Sequence, residues 1–208
     1  MTNVAVISCG LGNVQSLCDA LKRVGSSPKV CESHSDLLSE PFDRIVLPGV
    51  GAVSYCLERL RDSKFDVALQ DLVVHRKIPF LGICVGMQVL ATECFEFHKS
   101  QGLNFIPGKV EKIIIKDQRN KLPHVGWNEV NYLFDSRVSS SLSGQDFYFV
   151  HSYCFNCSSD YVVAYTEHEQ RFASIVSSEN IFGVQFHPEK SSKNGELLLQ
   201  CFVQHGLL

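Results

Sequence analysis

The chain has 208 residues, 45% of them apolar, with a formal net charge of −3. That length supports one core and predicts a single domain over residues 1–208, and the faintly acidic balance leaves no basic footprint for nucleic acid. Nine cysteines at irregular spacing form no disulfide framework and predict a reduced, cytoplasmic setting; Met1-Thr2-Asn3 carries no basic leader, and no apolar run approaches the roughly 20 residues of a membrane span.

In chain order, Val4-Ala5-Val6-Ile7 predicts a buried first strand. Gly10-Leu11-Gly12-Asn13 turns it into a helix, where Leu17, Ala20, Leu21 and Val24 recur at helical spacing and Gly25 is a stop. The glycines fit neither the dinucleotide fingerprint nor a phosphate loop, because no third glycine and no Gly-Lys-Ser/Thr follow. A second strand is predicted over 28–31 and a third over 43–47. The third runs into Pro48-Gly49-Val50-Gly51, which is either an ordinary turn or a loop whose backbone N–H groups face a ligand. Helical segments are expected over 55–60 and 65–74, with Phe65, Leu69, Leu72 and Val73 on one face.

The stretch Pro79-Phe80-Leu81-Gly82-Ile83-Cys84-Val85-Gly86-Met87-Gln88-Val89-Leu90 reads as buried strand, sharp turn and apolar helix. Gly-x-Cys-x-Gly is the cysteine form of a nucleophile elbow. Both glycines are needed because flanking side chains would strike the neighbouring strand and helix. The turn puts the sulfur at a helix N-terminus, which favours thiolate, and makes the Val85 N–H an oxyanion donor. Taken alone, a cysteine is more often a buried structural thiol, so the pattern is judged with what lies elsewhere in the chain.

Beyond Leu90 the pattern becomes β-rich. Residues 94–101 read as loop, 123–128 as a turn-rich segment around Trp127, and strands are predicted over 110–115, 147–153, 162–166, 172–176 and 182–186. Strands alternating with helices in the first half predict an α/β fold, a mostly parallel central sheet flanked by helices with a β-rich second half. Asn194 is expected to cap a last helix carrying Leu197, Leu198, Cys201 and Phe202. Of eight histidines, His187 stands at the end of an apolar strand, with Glu189 two residues on to hold its second nitrogen. His124 and His151 are weaker rivals, and His34, His75, His98, His168 and His205 read as surface residues. Trp127 suits a core as well as a partner surface. Cys154-x-x-Cys157 has no second ligand pair, so structural thiols are expected there and no metal or cofactor is predicted.

Taken together, Gly82-Ile83-Cys84-Val85-Gly86-Met87-Gln88, Pro48-Gly49-Val50-Gly51 and His187-Pro188-Glu189-Lys190-Ser191 resemble the class I (triad) glutamine amidotransferases, whose sheet is flavodoxin-like, over essentially the whole chain. Gly10-Leu11-Gly12-Asn13, 123–128 and 148–153 are most similar to the glutaminase subunits of imidazole glycerol phosphate synthase. The resemblance implies Cys84 as nucleophile, His187 as proton carrier and Glu189 as its orienter. It implies Val50 and Val85 as oxyanion donors, and Gly51, Gln88, Ser152 and Tyr153 as glutamine-binding positions. It further implies a (β/α)₈ cyclase partner that receives ammonia and forms imidazole glycerol phosphate, docked near Asn13, Trp127, Tyr148 and Lys190. Ser8-Cys9-Gly10 stands where the family often has Asp-Tyr-Gly. Similar subunits feed ammonia to enzymes that modify surface sugars, which is the alternative acceptor.

Overall fold

The computed structural model describes residues 1–10, 13–116, 121–134 and 139–206. The expected turn residues Leu11 and Gly12 lie outside the described residues. β1 (Thr2–Ile7) buries four successive apolar residues, as a strand covered on both faces must. α1 (Val14–Arg23) begins at Asn13, whose side chain accepts from the Ser16 N–H at 3.1 Å, and turns Leu17, Ala20 and Leu21 inward. β2 (Ser26–Cys31) follows, then α2 (His34–Leu38), a five-residue helix closed by a Ser33–Asp36 capping box. Five residues carry too little periodicity to show as a helix in the sequence. β3 (Arg44–Gly49) bends through Val50 and Gly51 into α3 (Val53–Asp62). α4 (Phe65–Leu69) continues as a π-helical turn over Gln70–His75, so the predicted 65–74 helix is irregular at its end.

β4 (Phe80–Cys84) ends at the cysteine, and α5 (Val85–Gln88) is a single turn rather than the longer helix expected. β5 (Glu93–Glu96) and β6 (His98–Gln101) pair as an antiparallel hairpin where a loop is predicted; Phe97, at φ +58°, makes the bend. After β7 (Gly108–Lys112), β8 (His124–Tyr132) replaces the predicted turn-rich segment with a nine-residue strand. Its alternation buries His124 and Val130 and exposes Val125, Trp127 and Glu129, so Trp127 is a surface residue, 52% exposed. α6 (Ser139–Leu142) is short. The predicted 147–153 strand is divided at Ser152 into β9 (Gln145–His151) and β10 (Tyr153–Cys157), which join different sheets. β11 (Val162–His168), β12 (Gln170–Ser178) and β13 (Ile181–Val184) precede α7 (Ser192–His205). Asn194 lies inside α7 and does not cap it; its side-chain amide donates to the Asp146 carbonyl at 3.1 Å.

The main sheet has nine strands in the order β2-β1-β3-β4-β13-β12-β11-β8-β9. The first five run parallel and the last four antiparallel, so the fold is α/β with an antiparallel extension. Right-handed crossovers put α1 on one face and α2, α3 and α4 on the other; α1 accordingly packs with α7, while α3 packs with α4 and α5. A second sheet, β10-β7-β5-β6, stands beside the C-terminal end of β4. An aromatic core joins the halves: Phe186 lies 4.2 Å from Phe147 between ring centroids, and Phe149 meets Phe186 and Phe172 edge-on. Truncating such a fully buried phenylalanine costs about 3–5 kcal/mol.

Candidate active site

Cys84 sits at φ +55°, ψ −107°, a backbone conformation that costs a non-glycine residue about 1–3 kcal/mol. The two flanking glycines make it attainable. A Cβ on Gly82 would stand 2.3 Å from the Gly86 carbonyl oxygen, and one on Gly86 only 1.9 Å from that of Leu47. Each glycine is therefore fixed by main-chain contact. The nucleophile elbow expected from the sequence is present, but with one helical turn behind it the helix dipole is short.

His187 follows β13, the neighbour of β4, and is 2% exposed. Its Nδ1–H donates to Glu189 Oε1 at 2.9 Å, an ion pair almost wholly shielded from water. That bond fixes the ring orientation and leaves Nε2 on the side of Cys84. Nε2 is buried without a well-formed hydrogen bond. The Cys84 thiol is the group against it. Burial pushes His187 down, but Cys84 and Glu189 outweigh this and raise it to about 10. In the resting chain the Cys84 thiol donates to the Val150 carbonyl at 3.8 Å, and the Gln185 amide donates to Cys84 Sγ at 3.7 Å.

Around the sulfur opens a cleft of about 590 Å³. Val50, Gly51, Val85, Gln88, Ser152 and Tyr153 all line it, so every predicted oxyanion and glutamine-binding position is brought to Cys84. Gly51, at φ +87°, makes the bend that carries β3 past the site, and a Cβ on Gly49 would press to 2.9 Å from Val85 Cβ. Gln88 is 3% exposed and spends both amide hydrogens, on the Tyr153 carbonyl and on Gln185 Oε1, each at 2.9 Å. Its Oε1 remains as an acceptor.

Several lining residues had no sequence signal. Glu96 Oε2 accepts from the Val53 N–H at 2.5 Å, closing the start of α3 directly behind Gly51; burial raises this carboxyl and the bond partly offsets it. Phe97, Lys112 and Leu122 also line the cleft, beside Pro123 of the 123–128 segment noted in the sequence. Gln185 is fully buried at the end of β13, and nothing in its apolar surroundings marks it in the sequence.

His124 and His151 do not reach the nucleophile as bases. They are cross-strand partners in β8 and β9, both buried, and His124 Nδ1 lies 3.0 Å from His151 Nε2. Burial pushes His124 down to about 3, with His151 and His168 adding to the shift, and His151 down to about 4. His168, read as a surface residue, is half-buried and stacks on His124 at 3.9 Å. His75, His98 and His205 are exposed as expected and His34 is half-exposed.

The predicted partner positions divide. Trp127 meets Tyr148 edge-on at 6.1 Å, and Lys190 Nζ lies 5.8 Å over the Tyr148 ring. Asn13 is exposed at the start of α1, where it serves as the cap.

A strained cysteine, a carboxylate-backed imidazole and glycine-flanked backbone bends over a cleft define a thiol amidohydrolase on an α/β sheet. The chain belongs to the class-I glutamine amidotransferases: the family described as Glutamine amidotransferase class-I matches residues 5–205. It is 39% identical over 205 residues to the imidazole glycerol phosphate synthase subunit HisH of Leptospira interrogans, covering 96% of this chain and 98% of that one. It is 40% identical over 206 residues to the subunit of the same name from Zymomonas mobilis, covering 97% and 95%. A crystal structure of a glutamine amidotransferase superposes with a TM-score of 0.72 at 18% identity, covering 95% of this chain and 98% of the other, a likeness of fold.

Proposed function

We propose that the chain, acting as one domain over residues 1–208, is the glutaminase subunit of an imidazole glycerol phosphate synthase. The chemistry rests on the Cys84–His187–Glu189 arrangement, and the choice of acceptor on full-length relatives that carry that subunit's name.

With its proton held on His187 Nε2, Cys84 attacks as the thiolate on the side-chain carboxamide carbon of glutamine. The N–H groups of Val50 and Val85 receive the oxyanion. Collapse of the tetrahedral intermediate expels ammonia, which takes the proton back from His187. Water then attacks the thioester, with His187 as base, and glutamate leaves as the Cys84 thiol re-forms. Glu189 stabilises the imidazolium at both stages. Gly51, Ser152, Tyr153 and the free Oε1 of Gln88 hold the substrate; the last accepts an N–H of glutamine.

Ammonia goes to a cyclase partner docked on the face that carries Trp127, Tyr148 and Lys190, with Asn13 at its margin. That face is tied to the base through the backbone. The His187 N–H donates to the Tyr148 carbonyl at 2.9 Å, the Tyr148 N–H donates to Ser191 Oγ at 3.0 Å, and Ser191 Oγ donates to the His187 carbonyl at 2.6 Å. A partner seated on Tyr148 therefore acts on His187 without touching the substrate. The reaction requires no metal or cofactor. All nine cysteines are free, which suits the cytoplasm, and no helix among the described residues is long and apolar enough to cross a membrane.

The test is glutamate release from glutamine by the chain alone and with the cyclase plus its nucleotide ligand. Stimulation by the liganded cyclase, reduced at least about 10⁴-fold in Cys84→Ala with cyclase binding retained, is the expected result. Activity that survives Cys84→Ala refutes the triad. Activity indifferent to the cyclase refutes the acceptor and points to the sugar-modifying alternative.

A further inference from the structure

The Tyr153 carbonyl is the node of a buried hydrogen-bond chain that ends on the nucleophile. A carbonyl can only accept. The Gln88 atom 2.9 Å from it is therefore the amide nitrogen, and the His151 nitrogen 2.8 Å from it carries a hydrogen. With its nitrogen on Tyr153, Gln88 gives its second hydrogen to Gln185, whose near atom is then Oε1. The Gln185 nitrogen is left facing Cys84 Sγ at 3.7 Å. The orientation of both amides thus follows from the network.

Gln185 has no access to water. Its N–H has the sulfur as its partner, and an unsatisfied buried donor would be costly. The thiol's own hydrogen is directed at Val150 in the resting chain, and once the sulfur ionises that bond is lost. The Gln185 N–H contact survives ionisation and strengthens, since hydrogen bonds to a charged acceptor are about twice as strong as neutral ones.

We propose that Gln185 is a further catalytic residue: its carboxamide N–H meets the Cys84 sulfur and stabilises the thiolate, locked in that orientation by the Tyr153 carbonyl acting through Gln88. The inference rests on Cys84 being the nucleophile of the glutaminase proposed above, but it is tested on the sulfur itself and needs neither glutamine nor partner.

The experiment is alkylation of Cys84 by iodoacetamide in the full chain at neutral pH, followed by peptide mass spectrometry with the other cysteines as internal controls. Gln185→Leu removes the donor. Gln185→Glu keeps an oxygen for Gln88 but sets a carboxylate against the sulfur. Cys84 alkylation should slow about tenfold in the first and further in the second, as expected for a lost hydrogen bond to a charged group. A residue that only held Gln88 in place would leave Gln185→Glu alkylated at the wild-type rate, and that result overturns the proposal. A third measurement needs no variant. The Gln185 side-chain amide resonance of the wild-type chain should move when Cys84 is alkylated, and a resonance that stays put overturns the proposal even if the variants fail to fold. Wild-type alkylation dependent on Gln185 in a chain that releases no glutamate would keep this inference and sink the glutaminase reading instead.

Discussion

Two groups of buried histidines sit in one molecule and are driven in opposite directions. His187 is raised to about 10, whereas His124 is lowered to about 3 and His151 to about 4. Burial penalises the charged imidazole in all three, so burial does not make the difference. The Cys84 sulfur and Glu189 do: His187 has the sulfur on one side and a shielded carboxylate at 2.9 Å on the other. His124 and His151 have each other, the Tyr153 carbonyl and an amide, since Asn128 Nδ2 lies 3.3 Å from His124 Nε2. A carboxylate within reach favours the charged form of a buried histidine. Without one, it becomes a neutral strut that passes hydrogen bonds from strand to strand.

The sharpest way to break this contrast is Glu189→Gln, which should turn His187 into a histidine of the second kind. Glutamate release should fall about 10⁴-fold, as in other triads where the carboxylate becomes an amide. A loss below tenfold in steady-state assays would show that Glu189 is not what supports the imidazolium.

The reverse exchange is Asn128→Asp, which places a carboxylate against His124. The His124 imidazole should rise by about one to three pH units, read from its ring resonances in an NMR titration. A His124 that stays neutral down to acid pH would mean that burial alone rules that cluster.

The smallest effect is on stability. Unfolded histidines titrate near 6.5. Below that pH the unfolded chain binds protons on His124 and His151 that the folded chain refuses until about pH 3–4. Stability therefore falls with acid, by at most about 1.4 kcal/mol per pH unit for each histidine. Above 6.5 the folded chain keeps the His187 proton that the unfolded chain releases. That contribution is complete below 6.5 and is lost as pH rises toward 10. Together the three predict a stability maximum near pH 6.5 in urea unfolding. His151→Asn should flatten the acid limb and Glu189→Gln the alkaline limb. Limbs that do not respond to these changes would contradict the assignments.

The legible parts of this chain are those written within a few residues. The β4 elbow is an apolar run, two glycines and a cysteine, and the clashes at Gly82 and Gly86 are with main chain a few residues or one strand away. His187 and Glu189 are two residues apart, so their pairing could be read directly. β8 does not show in the sequence because Pro123, Gly126 and Asn128 have turn-like composition, and it becomes a strand through pairing with β9 along its length and with β11 at its end. The 94–101 hairpin does not show either, because its strands are only four residues each, too short to display a period, and it is held by the second sheet. The single strand expected over 147–153 is divided at Ser152 because its two ends answer to different neighbours, β8 and β7.

By itself the sequence determined the glycine-flanked Cys84 turn, the nearness of His187 to Glu189, and the parallel half of the sheet, since hydrophobic period and glycine placement are local properties. Tertiary structure decided which polar groups share the buried space around the sulfur. Register set His124 opposite His151 and Trp127 opposite Tyr148, and the meeting of β13, α5 and β10 put Gln185, Gln88 and the Tyr153 carbonyl in one chain. Those contacts join segments far apart in the chain. A buried donor takes whatever acceptor packing brings to it, and only the folded arrangement says which that is.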